Sequence, residues 1–465
     1  MRNLRVCVAL ICFSLAGCTV GPNYQRPRVN PPATYRGQGV GPSTPVSAAS
    51  LGNEKWWNVY HDPVLQQLIR TALKQNYDIR IAATRILQTQ AQLGITRSNQ
   101  YPFVSAGFNL LEERNPKINS VFPNYRVHTA ELDASVLWNL DFWGKYRRET
   151  EAARANVLAS EWGQRAVITS VVSSVATAYF QLRELDLSLQ IAQRTLASRN
   201  DTLHLTEVLE HYGSASMLDL RQAQELVDTA AESIPDFERQ IQQQEDLISE
   251  LLGENPGAVA RGLKLIQQPL PPAVPAGLPS ELLDCRPDIR EAEANLMAAN
   301  ADIGVAKADF FPNISLTATG GLESYALDRF FSFADGGLYN AAASAAETVF
   351  QAGALHAGLR LTQTQEQQML LTYEQTIKEA LREVSDSLIA YQKDRLFEQR
   401  QAQLTTAAAD ADRLSLVLYR HGGASYLQVL TSETNYFAAE LNLAAAQLNE
   451  RLALVQLYNA LGGGW

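Results

Sequence analysis

The chain is poor in the residue types that most catalytic and metal chemistry requires. It has four cysteines, four methionines and six histidines in 465 residues. The histidines are dispersed, and without an HExxH spacing no zinc-hydrolase motif is present. His204 and His211 read as surface residues, and so few methionines give thioether ligation of copper no support. Ser216 and Asp219 have no histidine base placed by any motif, so a capping serine with a nearby acid is the simpler account. A protein that is not an enzyme and holds no metal is expected. Excess positive charge is missing too, since the formal net charge is −10, and this argues against nucleic acid as a partner.

Long apolar runs are also absent. The one sustained run follows Arg2 and Arg5 and spans twelve uncharged residues from Val6 to Gly17, well short of the roughly 20 that cross a bilayer. Residues 1–17 therefore read as a cleaved export signal. Leu15-Ala16-Gly17-Cys18 closes it in the manner of a bacterial lipobox, with Cys18 as the lipidated first residue of the mature chain. Thr19, which is not an aspartate, points the lipoprotein to the outer membrane. Lipidation of Cys18 leaves Cys285 without an intrachain partner, so no disulfide framework is available. In an oxidising compartment, stability must then come from packing and assembly. Beyond the covalent lipid, no cofactor is expected.

Proline is missing from Asn124 to Ile234 and from Asn313 to Trp465, which is where long helices can run. In the first window Ile168, Val171, Val175, Ala178, Leu182, Leu185, Leu189, Ala192 and Leu196 step by three and four, the seam of a coiled coil. A helix from about Lys145 to His211 would be roughly 100 Å long. Ile377, Val384, Leu388 and Tyr391 mark the same design later on. Both long helices run into matching punctuation, His211-Tyr212-Gly213-Ser214-Ala215-Ser216 and Arg420-His421-Gly422-Gly423-Ala424-Ser425. Each reads as a helix-turn-helix tip, about 211–217 and 420–426, in which Gly takes left-handed geometry and Ser216 or Ser425 caps the next helix. Local signals alone also allow plain exposed loops joining an antiparallel pair, a reading that the recurrence of Gly, Ala, Ser and Leu at both tips disfavours.

The chain also repeats itself. Residues 78–105 overlie 288–315 with 8 of 28 positions identical, and two copies of about 200 residues each are far longer than the roughly 20–50 residues of a solenoid module. The first copy is assigned to 56–264 and the second to 286–465, with an N-terminal extended segment at 18–55. A connector at 265–285 carries Pro269, Pro271, Pro272, Pro275 and Pro279, a density that favours extended backbone. Four segments alternate apolar with small or polar residues and read as strands, at about 101–112, 125–140, 311–321 and 338–350. In the second, Leu132, Ala134, Val136 and Trp138 oppose Glu131, Asp133 and Ser135. Such faces suit a barrel with lipid outside and water inside, or a small soluble sheet with one wet face. Four strands cannot close a spanning barrel, so the membrane reading requires several chains to share one.

The string from Pro275 through Cys285-Arg286-Pro287-Asp288-Ile289 resembles the opening of the second repeat in the outer membrane factor (TolC-like) family of Gram-negative bacteria, particularly its lipoprotein branch. Cys18-Thr19-Val20-Gly21-Pro22-Asn23-Tyr24, Trp56-Trp57 through Asp62, and Leu140-Asp141-Phe142-Trp143-Gly144 resemble the same family. The similarity covers essentially the whole mature chain. Cys285, where a charged residue is usual, and Glu347-Thr348-Val349-Phe350, where a proline is usual, depart from it. The resemblance implies a mainly α protein with a small β part. In it a homotrimer shares one twelve-stranded membrane barrel, and long coiled-coil helices form a periplasmic tube. It further implies passive conduction of small toxic compounds such as drugs, driven by an inner membrane pump through a periplasmic adaptor. Localisation would be the outer membrane, lipid-anchored and extending into the periplasm. The adaptor would meet Gly213, Ser216, Leu218, Gly422, Ser425 and Leu427. The periplasmic gate would comprise Leu427, with Thr431 and Thr434 where relatives often carry an aspartate and an arginine. Ion pairing there would fall to Asp219, Arg221, Glu225 or Glu433. The residues alone also allow a lipid-anchored periplasmic coiled-coil scaffold or adaptor without a pore, although paired amphipathic strands and a whole-chain duplication are needed by neither.

Overall fold

The computed structural model describes residues 19–36, 50–114, 126–269, 275–324, 336–463 and 465. The export signal and Cys18 lie outside the described residues. The elements in chain order are α1 (Trp56–Val59), α2 (Pro63–Gln75), α3 (Tyr77–Ser98), β1 (Phe103–Arg114), β2 (Arg126–Leu140), α4 (Lys145–His211) and α5 (Met217–Leu252). They continue as α6 (Pro279–Cys285), α7 (Pro287–Ala308), β3 (Asn313–Ser324), β4 (Gly337–Ala346), α8 (Ala354–Arg420) and α9 (Tyr426–Ala460). The duplication is visible element by element. Both α3 and α7 have 22 residues, β1 and β3 have 12, and α4 and α8 have 67, or roughly 100 Å of helix in each long pair member.

Two compact units emerge, one of Met1–Arg28, Arg85–Glu161 and Glu291–Glu374, the other of Val29–Thr84, Trp162–Arg290 and Gln375–Trp465. Each holds part of both sequence repeats, because α4 and α8 are too long to belong to one unit. In the first unit, β1-β2-β3-β4 form one antiparallel sheet in that order. Strand starts are set by proline: β1 follows Pro102 and β3 follows Pro312, neither of which has an N–H for the ladder. The expected fourth strand to 350 is shorter, ending at Ala346, the partner of Asn313 at the very start of β3. Beyond it no partner remains, and Val349 and Phe350 are exposed.

Register sorts the sheet into two faces. Ser105, Ser135 and Thr319 align in one row, as do Gly107, Asp133 and Gly321, and Asn109, Glu131 and Glu323. The alternate rows join Ala106, Ala134 and Gly320, and Phe108, Leu132 and Leu322. The apolar rows run along β2 from Leu140 to Ala130, after which exposed His128 begins a polar edge. Eleven residues span roughly 34 Å of strand, or about 25 Å in height at a tilt near 45°, the apolar band of a transmembrane barrel. No helix among the described residues is long and apolar enough to cross a membrane.

The N-terminal segment is strapped to this unit. Val20 donates its N–H to the Trp143 carbonyl at 3.0 Å, and a Cβ on Gly21 would meet the Gly304 Cα at 2.4 Å. Arg148, 3% exposed, donates to the Asn23 side-chain oxygen at 2.7 Å and to Glu151 at 2.7 Å. Trp143 stacks on Phe311 and donates to the Pro312 carbonyl. In the second unit, fully buried Asp62 caps α2 through the Val64 N–H and also accepts from Tyr179, Leu263 and Gln268. That one carboxylate ties the entry helices to α4 and to the segment leaving α5.

Candidate functional site

The two tips close by the same geometry and then differ. Gly213 and Gly422 sit at φ of +74° and +72°, a region that favours glycine. Ser214 N–H reaches the Leu209 carbonyl and Gly423 N–H the Leu418 carbonyl, the pattern that satisfies helix-end carbonyls. At the first tip, Ser216 and Asp219 form a complete capping box, with Asp219 N–H donating to Ser216 Oγ at 3.1 Å and Ser216 N–H donating to Asp219 Oδ2 at 2.8 Å. At the second, Ser425 takes the N-cap position but makes no side-chain cap bond, which corrects the expectation of a capping hydroxyl there. Its third helical residue is Gln428, not an aspartate, so the reciprocal bond has no carboxylate to close it.

Tyr419, Tyr426, Val429 and Ala223 are buried together beneath the tips, flanked by Leu205, Leu209 and Leu430. Above that core the tips present apolar groups to solvent: Tyr212 is 78% exposed, and Met217, Leu218 and Leu427 are exposed as well.

The residues expected at the gate fall into three environments. Leu427, Thr431 and Thr434 are exposed on α9. The threonine hydroxyls are satisfied within the helix, donating to the Leu427 and Leu430 carbonyls at 2.8 Å each, so neither reaches outward as a charged pair would. Asp219 spends its Oδ2 on the capping box. Glu433, considered as a gate charge, is instead 6% exposed and faces inward, with Oε1 accepting from Thr202 at 2.9 Å. Burial pushes its carboxyl up to about 7. The sequence reading missed its neighbours Arg199, Thr202 and Asp412. Arg199 did leave a signal, for it falls three residues after Leu196 on the apolar seam of α4, where a charge has to be explained. Among the described residues no cluster of His, Cys, Asp or Glu could hold a metal ion.

The sequence profile of the outer membrane efflux protein family matches residues 68–254 and 278–463. The chain is similar to the probable efflux pump outer membrane protein TtgC of Pseudomonas putida, with 37% identity over all of this chain and 96% of that one. It is also similar to the cation efflux system protein CusC of Escherichia coli, with 35% identity over all of this chain and 99% of that one. Among solved structures, the outer-membrane channel OprN superposes with a TM-score of 0.88 at 29% identity, covering 96% of this chain and 100% of that one.

Proposed function

Since the chain belongs to the outer membrane efflux protein family and is the outer membrane channel of an efflux system, we propose that it works as the passive, lipid-anchored exit duct of a tripartite pump. The two-faced sheet carries this reading. Its edges, β1 and β4, are each paired on one side only. In a bilayer an open edge leaves backbone groups unsatisfied, so the sheet has to close with other copies. Three copies give twelve strands, with Ser105, Ser135, Thr319, Asp133 and Glu131 toward water and Ala134, Phe108 and Leu132 toward lipid.

The N-terminal strap supports the lipid anchor at Cys18. Thr19 packs beside Gly144, four residues past the end of β2, which brings the described N-terminus to the edge of the apolar band. The α4 and α8 hairpins would wall the periplasmic duct, and the tips at Gly213, Ser216 and Leu218 and at Gly422, Ser425 and Leu427 would meet a periplasmic adaptor coupled to an inner membrane pump. The gate would rest on Leu427, with Thr431 and Thr434 supplying no ion pair. Cargo would be small toxic compounds, chosen by the pump. The pore-less scaffold has no use for a sheet with one face for lipid and one for water.

Electron microscopy of the detergent-extracted protein, with native mass spectrometry, tests the assembly. Three-fold hollow particles with a detergent belt at one end are expected. A monomer, or a solid coiled coil without a belt, overturns the reading.

A further inference from the structure

Beneath the gate residues, a cavity of about 200 Å³ is lined by Arg194, Arg199, Asp412, Glu433, Phe437 and Glu440. Its charges do not balance. Arg194 is held by Glu440 in an ion pair. Arg199, 2% exposed, donates to the Leu226 carbonyl at 2.7 Å and lies over the Phe437 ring at 5.0 Å. Among the described residues it is the one cation that acts on both Glu433 and Asp412. Glu433 Oε2, Asp412 Oδ1 and Glu440 Oε2 are buried without hydrogen-bond partners. These groups come from α4, α8 and α9, with the Leu226 carbonyl from α5, so the cavity lies where both hairpins meet. Among the described residues, Tyr426 and Tyr436 on α9 are the other titratable groups facing it.

A buried carboxylate and a half-buried one beside one guanidinium cannot both be ionised without cost. Burial is the largest influence raising the Glu433 carboxyl and Asp412 adds to it, while the Thr202 hydroxyl and Arg199 work the other way; the balance sits at about 7. Asp412 is itself raised by burial, with Arg199 lowering it and Glu440 raising it. Glu433 lies within one helical turn of Thr431 and Thr434. We propose that Glu433 is a proton-operated latch, which when neutral lets α9 seat against α4 and α8 and when ionised loosens α9 and with it the gate. This rests on the reading of Leu427, Thr431 and Thr434 as a gate.

The sign follows from linkage. The seated state holds the Glu433 proton more tightly than a solvated carboxyl near 4.5 does. Seating is therefore strongest at low pH, weakens as pH rises from that value to about 7, and changes little above it. Between pH 5.5 and 7.5 the ratio of loosened to seated chains rises about 20-fold.

Hydrogen exchange of residues 426–440 in the full-length, detergent-solubilised protein, corrected for intrinsic rates, reads the latch, with single-channel conductance measured alongside. Exchange about 20-fold faster at pH 7.5 than at 5.5 is expected. Glu433→Gln, a neutral side chain of the same shape, should hold exchange low and flat. Thr202→Val removes the hydroxyl that favours the ionised form and should move the midpoint to higher pH, an effect that a merely structural threonine would not produce. Exchange independent of pH in the natural protein, or an unchanged pH response in Glu433→Gln, overturns the latch. Conductance with flat exchange would leave the channel standing without the latch, and pH-dependent exchange without conductance would leave a proton-sensitive helix contact and remove the channel together with the gate it was to work.

Discussion

Ala134 and Ser135 are consecutive residues near the middle of β2 whose side chains take opposite faces. Ala134 lies in a row with Ala106 and Gly320, and Ser135 in a row with Ser105 and Thr319. Ser105 and Ser135 hydroxyls are 2.8 Å apart across the strands. Arginine at position 134 would place a guanidinium against lipid near the centre of the apolar band, at a cost of about 2–4 kcal/mol per chain. That corresponds to a roughly 30- to 1000-fold loss in the folded, inserted population. Ser135→Arg places the same charge in the water-filled lumen and should cost about 0–1 kcal/mol, the ordinary range for a solvated substitution, while shifting ion selectivity toward anions. Guanidinium titration in lipid vesicles, read by tryptophan fluorescence, compares the two variants, and bilayer recordings read the selectivity. Equal stability, or a larger loss for Ser135→Arg, would mean that the apolar face does not meet lipid and would refute the assignment of faces.

Asp62→Ala should lower stability by about 3–5 kcal/mol, because Tyr179, Leu263 and Gln268 lose a buried acceptor at once; chemical denaturation checks it, with Asp62→Asn expected to lose less. Gly422→Ala places a Cβ at φ +72° with nothing within 4 Å, so the loss is backbone strain alone, about 1–2 kcal/mol. It should appear as faster hydrogen exchange around the second tip, and unchanged exchange there would contradict the strain argument. Thr431→Asp combined with Thr434→Arg should lower conductance of the isolated channel by adding an ion pair to the closed state. Equal conductance would show that the two threonines do not ease opening.

The architecture was legible in the sequence wherever a local rule set it. Proline-free windows marked α4 and α8 because one proline inside a helix removes a hydrogen bond and clashes with the preceding turn. Gly213 and Gly422 marked the tips because few other residues take their geometry. The end of β4 was not legible, since Glu347 to Phe350 could pair as far as composition goes, and only the partner strand's start at Asn313 cuts the ladder off. The cluster around Glu433 was hidden for a different reason. Arg199, Asp412 and Glu433 are separated by more than 200 residues of chain at their extremes and meet only through the packing of separate helices. Read locally, Glu433 is a surface acid on an amphipathic helix; its inward aim depends on which turn of α9 meets Thr202.

The two edges of the sheet are unequal. Strand β1 has 12 residues, whereas β4 has 10 and is largely alanine from Ala341 to Ala346. Alanine is a weak strand former that offers little to grip across a ladder. A ring built from such staves is firm within each plank and thin at each joint. The three joints, alike by symmetry, are where subunits would part under detergent or heat, each plank leaving with its three internal ladders intact.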